Sequence, residues 1–124
     1  MSTSSQAANE RYYGVDIAED GALVVAARPT GSSAATVRYP SGVAGVTALR
    51  SNIAQESEHP HVCICSRGAA ALTLAAALIA LPGSEITLVA PHAVERVVRG
   101  GQQLAPDQPE ERAQRLARLA ERLF

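Results

Sequence analysis

Tryptophan and lysine are both missing from this 124-residue chain, and only three Tyr and one Phe supply aromatic area. Large aromatic anchors therefore do not build the interior. With 47% hydrophobic residues, Ala, Val and Leu must fill it, which puts the weight on close packing of small side chains. All eleven basic residues are Arg, which we read as a compositional bias before reading it as function. Twelve acids leave a formal net charge of -1, so no global field draws the chain toward nucleic acid. The two cysteines, Cys63 and Cys65, would have Cα atoms ~7 Å apart on one strand. That is too far for an unstrained disulfide and predicts reduced thiols in a cytoplasmic setting. No apolar run approaches the ~20 residues that cross a bilayer. The longest, Ala69 to Leu81, contains Thr73 and stops at Pro82-Gly83. The N-terminus has no charged region followed by an apolar core, so neither a signal peptide nor a membrane partner is expected.

What is present fits one domain. Residues 1–10 are Ser/Ala/Gln-rich and read as a disordered tail; residues 11–124 read as a single α/β domain. Strands are predicted over about 12–17, 22–28 and 35–39, the first two joined by an Asp20-Gly21 turn. Pro40-Ser41-Gly42 ends that pattern, and Ser41 is expected to cap a helix over about 42–57. His59-Pro60 marks a boundary. Val62-Cys63-Ile64-Cys65 reads as a strand buried on both faces, and Ser66 as the cap of an Ala-rich helix over about 68–80. A strand at 85–89, a short helix from Pro91 to about Arg99 and a final helix over about 108–123 complete the order β-β-β-α-β-α-β-α-α. Three antiparallel strands followed by crossovers predict a mixed five-stranded sheet with helices on both faces.

Asp16 closes the first strand, where it serves either as a metal ligand or as a solvated strand-exit acid. His59, His61, Cys63 and Cys65 alternate and share one face, but four such positions span ~20 Å and cannot converge on one tetrahedral ion. Core cysteines and a solvated histidine pair are the plainer reading. Cys65 as a nucleophile at a helix N-terminus lacks an adjacent base. Asp107-Gln108-Pro109-Glu110 has the form of a helix start, with Asp107 as N-cap and Glu110 closing a capping box. Arg96, Arg99, Arg112, Arg115, Arg118 and Arg122 alternate with acids and read as a solvated helix face laced with ion pairs. Ala113, Leu116, Ala117, Leu119, Ala120, Leu123 and Phe124 form an apolar stripe. It is expected to pack on the sheet; its terminal Leu-Phe pair alternatively offers a homodimer seam through the C-terminal helix.

Four segments together resemble the N-terminal RNase-H-like, RuvC-type domain of DEDD-type insertion-sequence transposases, relatives of the pilin-gene-inverting recombinases. They are Gly14-Val15-Asp16-Ile17 with its Asp20-Gly21 turn, Tyr39-Pro40-Ser41-Gly42-Val43-Ala44-Gly45, Val62-Cys63-Ile64-Cys65-Ser66-Arg67-Gly68, and Leu88-Val89-Ala90-Pro91. The likeness covers about residues 13–120. In that family four acids hold two divalent ions, Mg²⁺ or Mn²⁺, ~4 Å apart for phosphodiester chemistry. The resemblance places the first acid on Asp16 and the third and fourth on Asp107 and Glu110. It puts the second on Cys65, whose soft thiol replaces a hard oxygen ligand poorly. The family's serine-bearing C-terminal region has no counterpart before Phe124.

The resemblance thus implies a stand-alone RuvC-type domain with a degenerate acidic site. Such a domain would be catalytically inactive and related to DNA transposition and recombination. It would bind DNA, structured RNA or protein. Two alternatives stand beside it. One is a Mg²⁺- or Mn²⁺-dependent nuclease using Asp16, Asp107, Glu110 and Glu19 or Asp20. The other is an actin-like ATPase fragment, disfavoured because Ala18-Glu19-Asp20 would set carboxylates against phosphate.

Overall fold

A computed structural model describes residues 10–28, 36–66, 68–91 and 108–123. Strand β1 (Glu10–Ile17) turns into β2 (Leu23–Arg28). The turn is fixed by the Ala18 N–H donating to the Ala22 carbonyl and the Gly21 N–H to the Ala18 carbonyl, both at 2.9 Å. Asp20 Oδ1 accepts from the Ala22 N–H at 3.0 Å. Gly21 has φ 89°, a conformation other residues adopt only at a cost. Strand β3 (Thr36–Tyr39), helix α1 (Val43–Glu56), β4 (His59–Cys65), α2 (Ala69–Ile79), β5 (Glu85–Val89) and α3 (Pro109–Leu123) follow.

The five strands form one mixed sheet in the order β3-β2-β1-β4-β5. β2 runs antiparallel to β1 and β3, whereas β4 is parallel to β1 and to β5. Parallel neighbours need crossovers, and α1 and α2 supply them on one face. Alternation along the strands then builds two cores. Tyr13, Val15, Ile17, Leu23, Val25, Val62 and Ile64 meet Leu49 and Ile53 of α1 and Leu74 and Leu78 of α2. On the opposite face Cys63, Cys65 and Val89 meet Leu116 and Ala120 of α3, and Val24 and Ala26 meet its Ala113 and Ala117. The predicted α/β class, with helices on both faces, is therefore present.

Several local expectations change. The predicted tail reaches one residue too far, since Glu10 already belongs to β1; the rest of it lies outside the described residues. His59-Pro60 does not precede the strand but opens it, with Pro60 paired to Arg11 of β1. Proline fits there because a strand's first positions tolerate a missing donor. Gly42 and Gly68, not Ser41 and Ser66, occupy the N-cap positions, and neither helix has a side-chain cap bond. The expected helix after Pro91 lies outside the described residues. Among the described residues no helix is long and apolar enough to cross a membrane.

Candidate functional site

Asp16 sits at the end of β1 on the face covered by α3 and is fully buried. An isolated carboxylate in such a place must be neutralised or matched by a cation. Arg112 of α3 provides the match. Its Nε donates to Asp16 Oδ2 at 3.1 Å, and its Nη2 lies 3.0 Å from the same oxygen. Both nitrogens thus converge on one oxygen, and Oδ1 has no hydrogen-bond partner among the described residues. The side chains are 7% and 0% exposed, so solvent screens the pair weakly.

Glycine makes this contact reachable. A Cβ at Gly14 would collide with the carbonyl oxygen of Ala113 and the backbone nitrogen of Ala117, and would come within 2.7 Å of the Leu116 Cβ. The α3 backbone therefore rests directly on β1, with Ala113, Ala117 and Ala120 as the small residues that permit it. Two ion pairs hold α3 over the antiparallel half of the sheet. Arg28 Nε lies 2.8 Å from Glu121 Oε1, and Arg38 Nε lies 3.2 Å from Glu110 Oε2.

The residues singled out from sequence separate into two groups. Asp16 and Cys65 come together. Val15 pairs with Ile64 across β1 and β4, so Cys65, one residue further on, emerges beside Asp16 on the same face. Cys65 is fully buried with Cys63, Val89, Leu116 and Ala120, which is an apolar cluster and not an open nucleophile position. Burial pushes the neighbouring Cys63 thiol up to about 11. Both cysteines are free, as expected. Glu110 does not join them: it stands on the flank of α3 facing Arg38. Asp107 lies outside the described residues. Glu19 and Asp20 are exposed, and Asp20 serves the turn. His61 stacks on Tyr12 with ring centroids 5.3 Å apart, while His59 is exposed.

Among the described residues no three His, Cys, Asp or Glu side chains stand together as a metal site. The described donors around Asp16 do not fit a hard divalent ion. One carboxylate is engaged by a guanidinium, the next strand offers sulfur, and a fixed positive charge opposes a second cation.

Arg112 and Arg115 are the residues that sequence reasoning placed wrongly. They are buried, at 6% and 8% exposure, instead of lining a solvated face; Arg96 and Arg99 lie outside the described residues. Arg115 Nη2 reaches Glu111 Oε2 at 2.9 Å, whereas its buried Nη1 has no partner among the described residues. Burial pulls its pKa below the ordinary guanidinium value, against the opposing effect of Glu111. The available signal was helical phase: Arg112 lies four residues before Leu116, on the stripe that packs inward.

The stripe itself packs on the sheet, with Ala113, Leu116, Ala117 and Ala120 fully buried and Leu123 exposed at its end. The chain matches no protein-family model and no curated protein sequence.

Proposed function

We propose that this chain is an RNase-H-like domain of the transposase RuvC type that has exchanged metal-dependent cleavage for binding. The observation that carries this reading is the Asp16–Arg112 pair. Asp16 stands where the resemblance puts the first metal ligand, and a guanidinium on α3 now satisfies its charge. Sulfur at Cys65 and the turning of Glu110 toward Arg38 support the same conclusion. The mixed sheet, with Asp16 ending its central strand, supports the RNase-H-like identity.

As for what is bound, five of the described arginines favour protein over nucleic acid. Arg11, Arg28, Arg38, Arg112 and Arg115 are all engaged by carboxylates, which reduces their capacity to release counterions from phosphate.

The test combines cleavage with metal binding. The chain is incubated with branched and single-stranded DNA in Mn²⁺, and its thermal melting is followed during titration with Mg²⁺ and Mn²⁺. We expect no cleavage and no specific stabilisation. Cleavage that disappears in Asp16→Ala would overturn the reading, and so would saturable stabilisation by either metal that disappears in the same variant.

A further inference from the structure

We draw no further inference here: the strongest candidate, the exposed apolar stripe of Leu72, Ala76 and Ile79 along the outer face of α2, carries none, because nothing among the described residues shows what covers it.

Discussion

Arg112 reaches across 96 positions of sequence to place two nitrogens on one oxygen of Asp16. Their combined charge is zero, but each alone is a buried ion. Removing one partner of such a pair typically costs ~3–5 kcal/mol, because the other charge remains without compensation. Arg112→Ala and Asp16→Ala are each expected to fall in that range by urea denaturation. The double variant should be less destabilised than the sum of the two. An additive cycle would show that the pair is not coupled.

Gly14→Ala is expected to destabilise the protein, although the same change in an ordinary strand is neutral or favourable. The new methyl meets the backbone of α3 at Ala113 and Ala117, which cannot rotate away as a side chain can. Overpacking of this kind costs ~1–3 kcal/mol, and Gly14→Val should exceed Gly14→Ala. Thermal melting of both variants checks the order.

Alkaline pH should weaken the fold through two buried acids. Desolvation raises Tyr13, reinforced by its hydrogen bond to Glu56 at 2.9 Å, and burial raises Cys63 to about 11 from 9.0. A group whose pKa is higher in the folded state contributes stability below its unfolded value and loses it as pH rises toward the folded one. For Cys63 the loss runs from about pH 9 to about pH 11. Denaturation midpoints across that interval should decline, and Cys63→Ala should flatten part of the slope. A thiol reagent at pH 8 should leave native Cys63 unmodified until the protein unfolds.

The exposed pairs should behave differently from the buried one. Arg28–Glu121 and Arg38–Glu110 have side chains 37–48% exposed, where double-mutant cycles usually give less than ~1 kcal/mol. Glu121→Gln and Glu110→Gln are expected to stay within ~0.5 kcal/mol of the wild type. A larger effect for Glu110 would mean that it does more than pair with Arg38.

Strand periodicity was legible in the sequence because β1, β2 and β4 alternate between the two covered faces of the sheet. Val62-Cys63-Ile64-Cys65 has no polar position, as a strand covered on both faces requires. Tyr13 and Val15 separate from Gly14 and Asp16 by the same alternation. The start of β4 was not legible, because Pro60 reads as a breaker until the pairing partner is known. Nor was the partner of Asp16. A buried acid predicts a cation but not which one. On α3 every Arg has an acid within a turn, so Arg112 looks like Arg118 unless the helix's inward phase is fixed first. The capping serines failed for a related reason: a neighbouring glycine satisfied the backbone geometry without them.

The seat of α3 on Gly14 also has a bearing on biogenesis. β1 leaves the ribosome well before its neighbour on one side, α3, which lies nearly a hundred positions later. Contacts so distant along the chain slow folding. The face of β1 that carries Asp16 therefore stays open until α3 has been made. For that interval the nascent chain depends on dilution or a chaperone to keep its half-covered sheet from pairing elsewhere.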